Sequence, residues 1–254
     1  YYYRAIEAEP VLPFEATVLH HDDHLLVVDK PHFVPVTPGG RYLQQSLLVR
    51  LKRQLGIDAL VPVHRIDRET AGLVLFSTRP ATRAHYAALF SGRTIRKRYE
   101  AIVPWTAGQV LPSVHRSRLV PDDAFVRTRE VPGEPNAETS IELMETGDGR
   151  ARLALRPLTG RRHQLRVQCA ALGVPILNDR IYPEWLPEGS DDFERPLQLL
   201  AATLAFMDPV SGAERHFESR RCLRLDAPGP PAMPGGSTAS SNHCPPEPRR
   251  GESS

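Results

Sequence analysis

The apolar residues of this chain come in short runs, and each run is stopped by a charged residue or a proline. Residues 25–28 and 73–77 are two such runs, and their leucine and valine content is typical of buried strands. A transmembrane helix needs about 18 consecutive apolar residues, so no run is long enough to span a membrane. The chain has 254 residues and is 41% hydrophobic, which is sufficient for a substantial core in one large domain or two small ones.

Signals for helices and for further strands follow one another along the chain. Leucines at helical spacing predict a helix over residues 46–56, and Pro80 predicts the first turn of a second helix that ends near Ser91. A third helix is expected over about residues 162–172, whereas residues 104–135 carry weak signals and are expected to form a peripheral insertion. Strands are predicted over residues 17–29 (as part of a hairpin), 96–103, 139–145, 150–157, 197–206 and 214–217, with a hairpin turn at Gly147-Asp148-Gly149.

Positive charge is concentrated in two stretches, although the net charge of the chain is only +2. Residues 41–100 hold twelve Arg and Lys against four Asp and Glu, and residues 150–180 hold seven Arg against Asp179 alone. Most basic residues are arginines, whose planar guanidinium binds phosphate and stacks on bases. Folded onto one face, the two stretches would bind nucleic acid. The alternative is a solvated basic face, with the arginine bias arising from genome composition.

The sequence offers little for metal, disulfide or nucleotide-cofactor chemistry. Its three cysteines form no CxxC and no paired framework, which fits a cytoplasmic protein. Neither His64 nor His163 belongs to a metal-ligand motif, so no metal site is expected. No GxGxxG sequence and no phosphate-binding glycine loop is present, so no nucleotide cofactor is expected.

Asp67 lies among arginines in a predicted loop that leads into the apolar run at residues 73–77. Neighbouring positive charge favours its anion. An ionised aspartate in this position is a nucleophile, a general base or the partner in an ion pair, and the ion pair is the commonest of the three. Glu69 has the same alternatives and is expected to be solvated. Tyr99, which follows three cations, suits either stacking on a base or packing within a sheet.

Residues 159–166 (TGRRHQLR) form a second concentration of polar side chains. The segment begins with a turn and enters the third predicted helix, so backbone N–H groups and arginines are expected to form an anion site at the helix N-terminus. On that helix Arg162 and Arg166 would share one face, with His163 beside them. One arginine would then reach Asp67 while the other contacts phosphate. The alternative is a surface helix with a basic face.

Four stretches carry a resemblance to a known family: residues 25–38 (LLVVDKPHFVPVTP), 64–77 (HRIDRETAGLVLFS), 97–103 (KRYEAIV) and 158–182 (LTGRRHQLRVQCAALGVPILNDRIY). Together they resemble the RluA-type pseudouridine synthases, which act on structured RNA. The combination of HRID-x-x-T-x-G-L with TGR-x-HQ-L-R is highly specific. The resemblance implies an α+β fold, with a mixed, largely antiparallel sheet, flanking helices and a cleft across the sheet. It implies no metal and no organic cofactor.

The resemblance also implies roles for individual residues. Asp67 would be the catalytic carboxylate, and Arg166 would pair with it and orient it. Tyr99 would stack on the uracil of a flipped uridine, and Leu165 would lie in the apolar wall of the pocket. Arg65 would fill the space that the uridine leaves in the RNA. Further substrate contacts are expected from His64, Arg68, Thr70, Arg161, Arg162 and His163.

The resemblance covers residues 16–225, which are expected to form the catalytic domain. Residues 1–15 are expected to be an extended lead-in, where the end of an S4-like domain would fit, and residues 226–254 a disordered tail rich in Pro, Gly and Ser. Departures from the usual pattern at Arg162, Gln168, residues 178–182 and Ala201-Ala202 concern RNA contacts rather than the implied catalytic residues. The expected partner is structured RNA, rRNA or tRNA. The protein is expected to be a cytoplasmic monomer with no membrane attachment.

Two other functions stay open at this point. The first is an RNA-binding module that has this fold but no turnover. The second is a carboxylate-based hydrolase such as a glycosidase. A hydrolase would need a second carboxylate about 5–10 Å from Asp67 across the pocket, and Glu69 and Asp179 are the candidates.

Overall fold

One mixed sheet of eleven strands organises the residues that the computed structural model describes, namely 9–122, 127–186 and 192–226. The strands β2 and β4 coincide with the two apolar runs, and all their residues are buried. The expected class, α+β with a largely antiparallel sheet and flanking helices, is confirmed. In chain order the strands are β1 (Thr17–His21), β2 (Leu25–Lys30), β3 (Val61–Pro62), β4 (Ala71–Ser77), β5 (Arg96–Pro104), β6 (Val114–Pro121), β7 (Thr128–Val131), β8 (Ala137–Gly147), β9 (Arg150–Pro157), β10 (Leu199–Met207) and β11 (Glu214–Glu218).

The order of the strands brings early and late parts of the chain together at the centre of the sheet. The sheet runs β1-β2-β4-β10-β5-β9-β8-β6-β7, with β3 added to β4 and β11 to β10. β4 and β10 are parallel, and Gly72 lies beside Ala201. Gly72 has a φ of 107°, and a Cβ atom there would lie 2.3 Å from the Ala201 carbonyl oxygen. Only glycine fits this close approach.

Three α-helices accompany the sheet in the described residues: α1 (Leu47–Leu55), α2 (Arg83–Ser91) and α3 (Gln164–Ala171). α1 ends where Gly56 adopts a left-handed conformation and its N–H donates to the Lys52 carbonyl, which confirms the predicted stop. A 3-10 turn at Pro80–Thr82 precedes α2, so the second predicted helix is confirmed from a tighter first turn. No helix in these ranges is long and apolar enough to cross a bilayer.

Tyr99 of β5 contacts two separate clusters of the hydrophobic core. One cluster is built from side chains of β2, β4 and α1, among them Leu26 and Leu51. The other is built from β5, β9 and α3, and it includes Leu155 and Leu165. β5 therefore places this tyrosine at the junction between the two parts of the core.

Two expectations about secondary structure are wrong. Residues 104–135 lie at one edge of the sheet, as a peripheral segment, but they are not an insertion outside it, because they contain β6 and β7 and β6 pairs with β8. Arginines and a proline interrupt the apolar alternation of β6, so its sequence gives a weak strand signal. The third helix begins at Gln164 rather than near residue 162, because His163 adopts a left-handed conformation with a φ of 55°. Arg162 and Arg166 therefore do not share a helical face.

The predicted hairpin between β8 and β9 is confirmed. Asp148 and Gly149 both have positive φ, 52° and 71°, which is the conformation of a type I′ turn. Within the expected lead-in, residues 9–15 form neither helix nor strand, and residues 1–8 lie outside the described residues. Of the expected tail, residues 227–254 also lie outside them.

Candidate active site

Two loops and strand β5 surround an open cleft of about 520 Å³ at the centre of the sheet. One loop joins β3 to β4 and the other joins β9 to α3, so the two basic stretches of the sequence meet here. The lining consists of Arg65, Ile66, Asp67, Thr70, Lys97, Tyr99, Pro157, Thr159, Gly160, Arg161, His163, Gln164, Leu165, Arg166 and Leu199.

Arg166 lies between two carboxylates. Its Nη1 donates to Asp67 Oδ2 at 3.2 Å, and its Nε and Nη2 each donate to one oxygen of Asp179 at 2.7 Å. The Arg166 and Asp179 side chains are 1% and 0% exposed, whereas Asp67 is 26% exposed. The buried pair thus fixes the guanidinium, and Asp67 stays accessible from the cleft.

The charges around Asp67 keep its carboxyl group ionised. Burial alone would raise the pKa of this group, but the positive charges of Arg166, His163 and Arg65 outweigh burial and lower the pKa below its ordinary value of 3.8. Asp67 is therefore both the partner in an ion pair and an accessible anion. An anion of this kind is able to act as a nucleophile or as a base.

His163 is the third charged or polar group at Asp67. Its Nε2 lies 3.8 Å from Asp67 Oδ1, and its Nδ1 lies 3.1 Å from the Tyr182 hydroxyl. That hydroxyl also contacts the Thr128 carbonyl at 2.9 Å, which fixes the tyrosine beside the His163 ring. Burial lowers the pKa of His163 below 6.5, against the attraction of Asp67.

Tyr99 and Leu165 supply an aromatic and an aliphatic surface to the cleft. Burial and the negative charge of Asp67 raise the pKa of Tyr99 above its ordinary value of 10, so the phenol keeps its proton at neutral pH. Leu165 is 7% exposed and packs into the core through the second cluster. A flat ring, an apolar wall and a carboxylate together suit a planar heterocycle with its sugar attached.

Lys30 supports the loop that carries Asp67. Its side chain is fully buried, and its Nζ donates to the carbonyls of Pro31, Val34 and Arg68 at 2.9, 2.8 and 3.0 Å. Because Arg68 directly follows Asp67, these bonds join the loop that carries Asp67 to the segment after β2. Burial lowers the pKa of Lys30 to about 7.

A buried polar network holds the second loop against β8. The Oε1 atom of Gln164 accepts from the Thr159 hydroxyl at 2.7 Å and from the Arg161 N–H at 3.1 Å. Its Nε2 donates to the Thr139 hydroxyl at 2.9 Å, and that hydroxyl donates to Gln168 at 2.6 Å. The network therefore fixes the start of α3, from which Leu165 and Arg166 project.

Comparison with known proteins establishes the family. A family model described as RNA pseudouridylate synthase matches residues 24–171, more than half of the chain. RluA of Escherichia coli K12, a "dual-specificity RNA pseudouridine synthase", is 33% identical over 207 residues, which are 80% of this chain and 91% of that protein. This chain belongs to the RluA-type RNA pseudouridine synthases.

Other members of the family give the same result. The "uncharacterized RNA pseudouridine synthase slr1592" of Synechocystis is 27% identical to this synthase over 243 residues, 91% of this chain and 79% of that one. Among solved structures, the human protein "RNA pseudouridylate synthase domain containing 4" has a TM-score of 0.62 and 26% identity, and the match covers 82% of this chain and 88% of the human one. The chain is thus an isomerase of this class.

The structure brings most of the predicted site residues of this pseudouridine synthase into one cleft. The predicted catalytic and substrate-binding residues that line it are Asp67, Tyr99, Arg166, Arg65, Leu165, Thr70, Arg161 and His163. Their proximity is compatible with the predicted roles, which remain predictions. Arg166, rather than Arg162, is the arginine that reaches Asp67.

His64 lies elsewhere, although it was predicted to contact substrate. Its ring stacks on Phe90 with the centroids 4.4 Å apart, and its Nε2 accepts from the Leu75 backbone N–H at 3.1 Å. Burial lowers the pKa of His64 to about 3, so the ring is neutral. These contacts place His64 in the packing between β4 and α2, outside the lining of the cleft.

Arg68 and Arg162 are also outside the lining of the cleft. Arg68 forms an ion pair with Glu69 at 2.9 Å and lies over the Tyr42 ring. Glu69, expected to be solvated, is only 23% exposed in this pair, so that expectation is wrong. Arg162 is exposed on the loop that precedes His163, because the left-handed turn there redirects the chain.

Asp179 is the site residue whose position the sequence did not reveal. From the sequence, the only role considered for Asp179 is that of a second carboxylate in a hydrolase. Both of its oxygens face Arg166, and its side chain is 0% exposed, so it does not face Asp67 across a sugar-sized cleft. The available signal was that Asp179 is the one acid in the arginine-rich residues 150–180.

Proposed function

We propose that this synthase isomerises a uridine of a structured RNA to pseudouridine, with Asp67 as the catalytic carboxylate and after the uridine has been flipped into the cleft. The observation that carries the proposal is the placement of an ionised, accessible Asp67 on the buried guanidinium of Arg166, in one cleft with Tyr99. Arg166 acts on the substrate through Asp67, so it is a positioning residue.

The reaction balances without any added group or oxidant. The N1–C1′ bond of uridine breaks, the C5–C1′ bond forms, the proton at C5 leaves to water, and N1 takes up a proton. A carboxylate is sufficient for this sequence, by attack at C1′, by attack at C6, or by removing a proton from the sugar. Each route needs the anionic form, which the low pKa of Asp67 provides.

The apolar and cationic parts of the cleft support extrusion of the base. Removing a stacked base from RNA costs a few kcal/mol, and stacking on an aromatic side chain returns about 1–3 kcal/mol per base. We assign the stacking role to Tyr99 and the apolar wall to Leu165. Arg65 is exposed at the edge of the same loop, where a guanidinium is available to fill the gap left in the RNA.

The proposed substrates are rRNA or tRNA, in a cytoplasmic setting. Support for this class comes from the cations of the cleft and from relatives named as dual-specificity RNA pseudouridine synthases. Arg161 and Lys97 line the cleft beside the Asp67 loop, and cations in such positions bind phosphates and make affinity dependent on salt.

The test is tritium release from RNA labelled at uracil C5. The purified protein is mixed with bulk tRNA and, separately, with rRNA transcripts, because formation of the C5–C1′ bond expels that hydrogen. The expected result is release by the native protein and a fall of at least about a thousandfold in the Asp67→Asn variant. Asp58→Asn, a change of the same kind at an exposed position, is the matched control.

Two outcomes would contradict the proposal, one for the role of Asp67 and one for turnover itself. Release by the Asp67→Asn variant at the native rate would overturn the assignment. Binding of RNA by the native protein without release from either RNA would favour the RNA-binding module, which has this fold but no turnover.

A further inference from the structure

A second pocket adjoins the proposed active cleft and takes no part in the reaction described above. It is open to solvent, with a volume of about 520 Å³, and it is lined by Phe90, Arg93, Leu158, Thr159, Gly160 and Arg161. The last three of these residues also line the active cleft. The two pockets therefore share a wall, formed by the loop between β9 and α3.

The lining of this second pocket contains two arginines and no acidic residue. Within the described residues neither Arg93 nor Arg161 forms an ion pair with an acid, and Arg161 Nε donates to the Asn136 carbonyl at 3.1 Å. The exposed arginines farther along the sheet differ, since Arg96 pairs with Glu214 at 2.7 Å. Positive charge without an acidic partner favours an anion such as a phosphodiester.

Lys97 adds a third cation close to the shared wall. Its Nζ donates to the Thr159 carbonyl at 3.2 Å. Burial, and then the positive charge of Arg93, lower the pKa of Lys97, so the two cations are near enough to repel one another. A phosphate bound at this wall would relieve that repulsion.

Two apolar side chains, Phe90 and Leu158, line the second pocket beside its arginines. Leu158 is 45% exposed and belongs to none of the core clusters of the described residues. Phe90 is half-buried: His64 is stacked on its ring at 4.4 Å, and the ring also packs against a core cluster, so its exposed part is what a ligand meets in the pocket. An aromatic ring beside an exposed leucine is a surface on which a flat base stacks.

We propose that this second pocket binds the RNA nucleotide next to the target uridine. The neighbouring base lies against Phe90 and Leu158, and the phosphate that joins the two nucleotides passes Gly160 and Arg161, which line both pockets. Arg93 neutralises the next phosphate along the strand. The inference rests on the proposed function, because the active cleft defines which nucleotide is the neighbour.

The test measures binding of a fluorescent RNA hairpin whose loop holds one uridine among adenosines. The nucleotide on the 5′ or the 3′ side of that uridine is made abasic in turn, and affinity is measured by fluorescence anisotropy. With native protein we expect one of the two abasic positions to weaken binding by about 5- to 150-fold. With Phe90→Leu we expect this loss to shrink to less than about threefold, and with Phe90→Tyr, which keeps a ring, we expect it to return.

The salt dependence of RNA binding tests the role of Arg93 in the second pocket. Arg93→Gln should lower the slope of log affinity against log salt by about 0.7, the value for one contact with single-stranded RNA. The matched control is Arg79→Gln, because Arg79 is exposed, pairs with Asp23 at 3.8 Å and lines neither pocket. We expect Arg79→Gln to leave the slope unchanged.

Two outcomes would overturn the inference. The first is that neither abasic position weakens RNA binding by the native protein. The second is that the abasic position weakens binding by Phe90→Leu as much as it weakens binding by the native protein, while thermal melting shows that the variant is folded. These outcomes are separate from failure of the proposed function, which shows as RNA binding by the native protein without tritium release. An equal fall in the salt slope for Arg79→Gln and Arg93→Gln would overturn the phosphate contact assigned to Arg93, since general charge would then explain the effect.

Discussion

Asp179 accepts two hydrogen bonds of 2.7 Å from Arg166, and neither side chain is more than 1% exposed. Asp179 Oδ1 also accepts from the backbone N–H groups of Ile181 and Tyr182 at 2.8 and 3.1 Å. The aspartate is therefore itself fixed by the backbone, and it determines where the guanidinium lies. Only Nη1 of that guanidinium extends to Asp67, at 3.2 Å.

Replacement of Asp179 by asparagine should damage both stability and turnover. The amide keeps the shape but removes the negative charge, and its NH₂ group would oppose an N–H of Arg166. Loss of one partner in a buried ion pair costs about 3–5 kcal/mol in free energy of unfolding. We also expect a lower rate at saturating RNA, because Arg166 loses its orientation toward Asp67. Urea unfolding and tritium release measure the two effects.

Asp192→Asn is the matched control for that change. Asp192 forms an exposed ion pair with Arg195 at 3.8 Å, and exposed pairs contribute at most about 1 kcal/mol. The free energy of unfolding of Asp192→Asn should therefore lie within about 0.5 kcal/mol of the native value. Equal stability of the Asp179→Asn and Asp192→Asn variants would show that the buried pair does not hold the site together.

Much of the site was predictable from the sequence because its parts lie in two short segments. The segment around Asp67 and the segment of residues 159–166 each carry several polar side chains in a row, and the structure brings both into one cleft. Details that depend on one backbone angle were not predictable. The left-handed conformation of His163 places Arg162 outside the helix. No pattern of side chains in the sequence predicts that conformation.

The same limit explains what was missed elsewhere. The apolar runs of β2 and β4 and the turn at Asp148-Gly149 were predictable, because composition and turn chemistry specify them locally. β6 was not predictable, because charged residues interrupt its apolar pattern and its place in the sheet depends on pairing with β8. Asp179 acquired its role from a contact with α3 that only the folded chain creates.

Replacement of Gly72 by alanine should prevent normal folding of the sheet centre. A Cβ atom at this position would lie 2.3 Å from the Ala201 carbonyl oxygen, on a backbone with a φ of 107°. Left-handed strain and overpacking together cost at least about 3 kcal/mol. Gly160→Ala is the control, since a Cβ atom there meets nothing within 4 Å. Thermal melting should show a large loss for Gly72→Ala and a small change for Gly160→Ala, and similar melting of both variants would refute the argument.

Lys30 should make stability rise with pH above neutrality. Burial lowers the pKa of Lys30 to about 7 in the folded protein, against 10.5 when the chain is unfolded. Between these two values the unfolded chain binds the additional proton, so the free energy of unfolding increases with pH, by up to about 1.4 kcal/mol per unit. The cost of the buried charge is present in full below pH 7.

Comparison with Lys30→Met isolates that contribution. Unfolding free energies of the native protein and the variant are measured by urea denaturation from pH 7 to 9. Other groups titrate alike in both proteins. The free energy of unfolding of the native protein should therefore rise with pH relative to that of Lys30→Met. Parallel curves would mean that Lys30 keeps its proton throughout this range, held by the three carbonyls that accept from its Nζ.

Substitutions of Tyr99 should separate its ring from its hydroxyl group. Tyr99→Phe keeps an aromatic face between the two core clusters, so affinity for RNA should stay within about twofold of native. Tyr99→Leu removes the stacking surface and should weaken binding by about 5- to 150-fold. The raised pKa of Tyr99 means that the native residue is a neutral phenol, so neither substitution changes the charge of the cleft. If Tyr99→Phe binds as weakly as Tyr99→Leu, the hydroxyl rather than the ring carries the affinity, and the stacking role is wrong.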